Sequence, residues 1–129
     1  MMLRRPLIVL GFVVLAIALG IAFDRARREG IHTENMAKAE IFKGEFDAHV
    51  TVGARLTAVE EYLKTKPVTV TRSMGFRDGR ESVEELMIET ANERSVHWYC
   101  GRDSVGVIAE FAGELLTKTR VSWWSFDCL

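Results

Sequence analysis

The segment VGVIAEFAGELLTKTRVSW, residues 105–123, decides the fold. Val105, Val107, Ala109 and Phe111 alternate with polar or small residues, Ile108 apart, and Leu115, Thr117, Thr119, Val121 and Trp123 alternate beyond Gly113. A period of two puts alternate side chains on one face, the pattern of a half-buried strand. Two such runs around a glycine read as an antiparallel hairpin. A loop over 112–114 pairs Phe111 with Leu115 and gathers the odd-numbered apolar set, Leu115 and Val121 on one face. A shorter loop opposes Phe111 to Glu114 and breaks that match. Register follows the buried face, so the three-residue loop over 112–114 is expected.

Upstream, Val68, Val70, Arg72, Met74 and Phe76 share one parity, and Thr69, Thr71 and Ser73 the other, a strand rich in β-branched residues. Asp78-Gly79 is a turn signal. Residues 82–93 support two readings. Ser82 and Glu85 fit a capping box, with Val83, Leu86, Met87 and Thr90 on a helix. Leu86, Ile88 and Thr90 also alternate against Met87 and Glu89, and the preceding turn favours a strand over 84–90. A turn at 91–93 would then lead into another strand over 95–100. Ahead of these strands, 52–66 carries apolar residues at Leu56, Val59, Tyr62 and Leu63, with Ala58 beside them and Glu60, Glu61, Lys64 and Lys66 off the stripe. That spacing is an amphipathic helix, preceded by Gly53 and ended by Pro67.

Residues 7–23, LIVLGFVVLAIALGIAF, contain no charge. At 1.5 Å per residue they reach about 25 Å, short of a hydrocarbon core of roughly 30 Å, and flanking arginines snorkel to make up the difference. Arg4 and Arg5 precede the run; Asp24, Arg25, Arg27 and Arg28 follow it. Two readings stand beside a third, a buried soluble helix. One is an uncleaved anchor, favoured because apolar character continues through Phe23 into a basic flank. The other is a signal peptide cleaved after Gly20, where Ala18 and Gly20 form a small-x-small pair. No Cys stands directly after the run, so a lipoprotein signal is not expected. The expected organisation is an n-region over 1–6, an anchor or uncleaved signal over 7–23, a polar, partly helical stalk over 24–50, and a small domain over 51–129. The expected fold class is α+β: an N-terminal transmembrane helix, then one amphipathic helix packed on a four- to five-stranded antiparallel sheet.

The arginines on the two flanks nearly balance, so charge leaves orientation undecided. Cys100 and Cys128, each in aromatic surroundings, are the only cysteines. Paired, they mark an exported domain and contribute about 3–4 kcal/mol by loop closure; unpaired, they are small buried apolar residues. A disulfide favours an N-terminus inside and a single-pass protein of a bacterial inner membrane with its C-terminal domain in the periplasm. The alternative is secretion to the periplasm after cleavage. By strand parity the bridge would sit among Trp98, Trp124 and Phe126.

A net charge of −1 spread along the chain provides no basic stripe for nucleic acid. No phosphate loop, nucleophile elbow or zincin pattern occurs. His32, His49 and His97 share no ligand spacing, and strand parity would put His97 and Cys100 on opposite faces. No catalytic residue, cofactor or metal is therefore expected. The enrichment that points to function is aromatic: Trp98, Tyr99, Trp123 and Trp124. Aromatics on central strands build a core; one left facing solvent makes an anchor for a partner protein or for the membrane interface.

Val52-Gly53, the run Thr57-Ala58-Val59-Glu60-Glu61-Tyr62-Leu63 and then Pro67 form a glycine-led helix opening. With the closing hairpin 107–121 they resemble the small envelope domains of the BamE-like (SmpA/OmlA) group and of β-lactamase-inhibitor-like modules. That group's lipid-modified Cys has no counterpart here. The resemblance implies an envelope protein working by contact with other proteins. The expectation is a membrane-anchored, non-enzymatic interaction or accessory module that meets the lipid bilayer through its N-terminal helix and another envelope protein through its domain. The alternative is a small-molecule or lipid-binding domain using an aromatic sheet face.

Overall fold

The computed structural model describes residues 4–77 and 81–129. Helix α1 is Arg4–His49 and helix α2 is Leu56–Lys64; strands β1 (Thr69–Arg77), β2 (Glu81–Arg94), β3 (Arg102–Ala112) and β4 (Leu115–Phe126) follow. The strands form one antiparallel meander in the order β1-β2-β3-β4. The turn expected at Asp78-Gly79 lies outside the described residues. The chain divides into two units, Met1–His32 and Thr33–Leu129.

In the first unit the large apolar side chains between Leu7 and Phe23 are all exposed. The helix is long and apolar enough to cross a membrane, which is compatible with an anchor or a signal sequence. Asp24 and Arg28, one helical turn apart, form an ion pair of 3.0 Å just beyond the run.

In the second unit Asn35, Ala39, Phe42 and Phe46 fall at i, i+4, i+7 and i+11 and make one buried or half-buried stripe of α1. Phe46 and Val50 join a buried cluster with Leu56, Val59 and Leu63 of α2, Leu86 and Ile88 of β2, Val107, Ala109 and Phe111 of β3 and Leu116 of β4. The second unit therefore reaches back to Thr33, whereas a stalk was expected over 24–50 with the domain beginning at 51. Residues 53–56 spend their backbone groups on 114–116: Gly53 donates to Leu116 O, Leu116 to Ala54 O and Leu56 to Glu114 O. That pairing delays α2 to Leu56, later than the expected start at 52.

Residues 82–93 are strand, not helix. β2 runs unbroken to Arg94, so the expected turn at 91–93 is absent; 95–100 is a loop, and the sheet has four strands. Thr90 is an extra residue between the pairs Glu89–Gly106 and Ala91–Val105, and its hydroxyl donates to Val105 O (3.2 Å). This bulge brings Ala91 and Glu93 onto the face of the buried cluster.

The closing hairpin also corrects its expectation. Ala112 pairs with Leu115, so the loop is Gly113-Glu114 and not 112–114. Both loop residues have positive φ, 57° and 66°, as a primed two-residue turn requires. Leu116 takes the buried place opposite Phe111, and Leu115 is exposed. Thr117 is then skipped in the ladder, which restores the odd-numbered face so that Val107 pairs with Val121.

Candidate functional site

The loop 95–101, SVHWYCG, connects β2 to β3. Its base is the last cross-strand pair, Arg94–Arg102, both exposed. Ser95 is buried and its Oγ accepts the His97 N–H (3.1 Å), a local turn typical of serine. Cys100 N–H closes a second turn on His97 O (3.1 Å). Gly101 N–H is shared between Phe126 O (3.1 Å) and Asp127 O (3.2 Å), and Leu129 N–H donates to Tyr99 O (2.8 Å). The sulfurs of Cys100 and Cys128 are bonded at 1.95 Å. Backbone bonds and a covalent bridge thus tie this loop to residues 126–129.

What this scaffold presents is apolar and aromatic. Trp98 is 89% exposed, Val96 62% and Tyr99 40%. The Trp98 ring meets Tyr99 edge-on at 5.8 Å, and His97 stacks on the other partner of that pair, Tyr99, at 5.2 Å. At the base, the Arg102 guanidinium lies over the Phe126 ring at 5.7 Å. On the buried side, Asn35 Nδ2 of α1 donates to Glu93 Oε2 (2.8 Å), and Ser125 Oγ donates to buried Asp103 (2.6 Å). The base of the loop therefore lies beside Asn35 of α1, within the second unit.

The structure brings two of the four aromatics together. Trp98 and Tyr99 are neighbours on the loop, and not on a strand. Trp123 and Trp124 lie on β4, opposite Val105 and Ser104, with side chains on opposite sheet faces. Trp123 is 43% exposed; Trp124 is half-buried, with a buried indole N–H that has no hydrogen-bond partner. Trp98 and Trp123 both face solvent, Trp98 far more fully. The disulfide is set beside this loop rather than among strand-borne Trp98, Trp124 and Phe126, because 95–100 is not a strand. Cys100, bonded to Cys128, is no thiolate partner for His97.

Sequence reasoning missed the pair Arg94 and Arg102, because reading 95–100 as strand hid their pairing. The signal was present: Ser95 and Gly101, both turn-forming residues, bracket the aromatic run.

Two other features stand apart. A solvent-open groove between α2 and β1 is lined by Leu63, Val68, Val70 and Leu86, with Lys64, Lys66 and Arg72 at its rim. With Glu60 also in the lining, the groove is aliphatic with charges of both signs, unlike the aromatic sheet face expected for a small-molecule site. Arg72 hydrogen-bonds Glu60 and pairs with Glu84 (3.2 Å); the Glu60 hydrogen bond, then its charge, hold the guanidinium proton more tightly than usual. On the sheet face away from the cluster, cross-strand Glu85 and Glu110 share Arg120, at 3.7 and 3.4 Å. Among the described residues no group of three or more His, Cys, Asp or Glu is arranged to hold a metal ion. Comparison of the chain with protein-family models, with curated proteins and with solved structures found no match.

Proposed function

We propose that this chain is a membrane-anchored, non-enzymatic accessory module of a bacterial envelope, acting by contact through the loop 95–101. The carrying observation is Trp98, almost fully exposed on a loop fixed by a disulfide and by backbone hydrogen bonds. Leaving a large apolar side chain in water forgoes about 1.5–3 kcal/mol relative to burying it. A loop already ordered spends little further entropy when that side chain is covered. The two features together suit a surface waiting for an occupant.

The retained apolar helix supplies the anchor, and the bonded cysteines support an exported side, the periplasm of a single-pass inner-membrane protein. Contact rather than catalysis is supported by the use already made of the loop's reactive groups: the Cys100 sulfur is bonded and the His97 ring is stacked. The resemblance to BamE-like envelope domains points the same way.

The test is a photo-crosslinking residue placed at position 98 of the full chain in intact cells, with position 117 as an exposed control on the far hairpin. Adducts from 98 and none from 117 are expected, with Trp98→Ala leaving the melting temperature unchanged. Absence of any adduct from 98, protein or lipid, overturns the reading.

A further inference from the structure

We infer that the loop 95–101 docks on an anionic bilayer surface, that of the membrane in which the chain is anchored; this rests on the loop being the contact surface. Three observations carry it. The first is the order of side chains from tip to base. Val96 and Trp98 are the most exposed, Tyr99 follows with its hydroxyl handle, and Arg94 and Arg102 close the base as a cross-strand pair. A bilayer presents the same sequence of environments: acyl boundary, the headgroup level that favours Trp and Tyr, and phosphates that attract arginine. Arg102 keeps its guanidinium over Phe126, with its charged group on the sheet face away from the buried cluster. Asp127, also exposed, stands against the two arginines at the base, while half-buried Glu93 and buried Asp103, the neighbouring cross-strand pair on the opposite sheet face, are engaged with Asn35 and Ser125.

The second is covalent reach. The apolar run ends at Phe23 and the second unit begins at Thr33, so residues 24–32 are all that joins them. Even fully extended, such a segment spans at most about 36 Å. A tether this short holds a weakly binding loop at high effective concentration over the lipid surface, so modest intrinsic affinity suffices. The third is position within the second unit. The Asn35–Glu93 hydrogen bond sets the base of the loop beside Asn35, two residues into the second unit, and not at the Gly113-Glu114 turn of the hairpin.

The chain carries its own probe. All three tryptophans, Trp98, Trp123 and Trp124, lie in the second unit, and the apolar run has none. Tryptophan emission of the full chain reconstituted in bilayers therefore reports on this unit alone. The experiment compares bilayers of brominated-tail phosphatidylcholine with and without phosphatidylglycerol, for the native chain, Trp98→Phe, and Arg94→Gln/Arg102→Gln. In the anionic bilayer, native emission is expected to be quenched and blue-shifted, with Trp98→Phe removing most of that quenching. Replacing both arginines should lower the docked-to-undocked ratio about 30-fold, and Arg94→Lys/Arg102→Lys should restore most of it. A non-reducing thiol count and a thermal melt check that each variant keeps its bridge and fold.

Unquenched Trp98 in the anionic bilayer overturns the inference, as does quenching that is equal in both lipids and indifferent to the arginines. A protein adduct from position 98 in cells, with Trp98 unquenched, overturns bilayer docking while leaving the contact surface standing. No adduct and no quenching removes both.

Discussion

Gly106 shows how one missing side chain fixes a register. It pairs with Glu89, immediately before the bulge at Thr90, and a Cβ there would lie 1.8 Å from the carbonyl oxygen of Ile88. The obstruction is backbone on a central strand, so no rotamer change relieves it. Gly106→Ala is expected to destabilise the fold by about 2–4 kcal/mol, by strand separation or loss of the bulge. Urea titration followed by circular dichroism measures this, and a change below about 0.5 kcal/mol would mean that the bulge is not held as described. In sequence, Gly106 reads only as a small residue in an alternating run. What makes it necessary is the approach of β2, which alternation cannot reveal. Trp98 poses the converse problem: an indole looks the same in sequence whether it fills a core or faces water, and only the loop around it decides.

The elements with a clean period were legible: the stripe of α2, the alternation of β1, and the paired faces of β3 and β4. Three were not, each for a physical reason. The stripe of α1 within the second unit begins with Asn35 and Ala39, one polar and one small, so 24–50 reads as a polar tether. Residues 95–100 alternate by accident, Val96 and Trp98 against Ser95 and His97, and so imitate a strand. The closing hairpin balances two preferences, face and turn. The expected loop over 112–114 preserves the face directly. The chain instead makes a primed turn at Gly113-Glu114 and recovers the face by skipping Thr117. That solution puts a non-glycine residue, Glu114, at φ 66°. A left-handed conformation costs an L-residue roughly 1–2 kcal/mol, which glycine does not incur. The Glu114 contribution to the turn, the carbonyl that accepts Leu56 N–H at 2.8 Å, is backbone and survives substitution. Glu114→Gly is therefore expected to stabilise by about 0.5–1 kcal/mol after the added chain entropy of glycine is deducted. A raised melting temperature checks it; a lowered one would show that the Glu114 side chain supports the turn.

At the scale of the whole molecule, the proposed anchor raises the question of which side of a membrane the second unit occupies, and the two flanks of the apolar run are too evenly charged to answer it. Arg4 and Arg5 stand against Arg25, Arg27 and Arg28, and only Lys and Arg near a span weigh on orientation. The bridge between Cys100 and Cys128 lies far from the membrane in sequence, yet it is chemically the sharper marker, because reducing compartments keep thiols free. If the unit is exported, protein taken from membranes under an alkylating agent should show no reactive thiol before reduction and two after it. Two reactive thiols before reduction would put the unit in the reducing compartment and overturn the periplasmic orientation. The bridge should also be felt in stability. With the bridged positions 28 apart in sequence, its loss is expected to cost about 3–4 kcal/mol by loop closure. Urea unfolding with and without reductant, and of Cys100→Ser/Cys128→Ser, reads that difference. A local consequence is separable from the global one. Opening the bridge frees the loop from residues 126–129, so the Tyr99–Leu129 hydrogen bond should lose its protection in hydrogen exchange earlier than the β2–β3 ladder. Loss of both together would instead make the bridge a support of the whole sheet. Retention of both would mean that the backbone bonds at Tyr99 and Gly101 hold the aromatic tip without it.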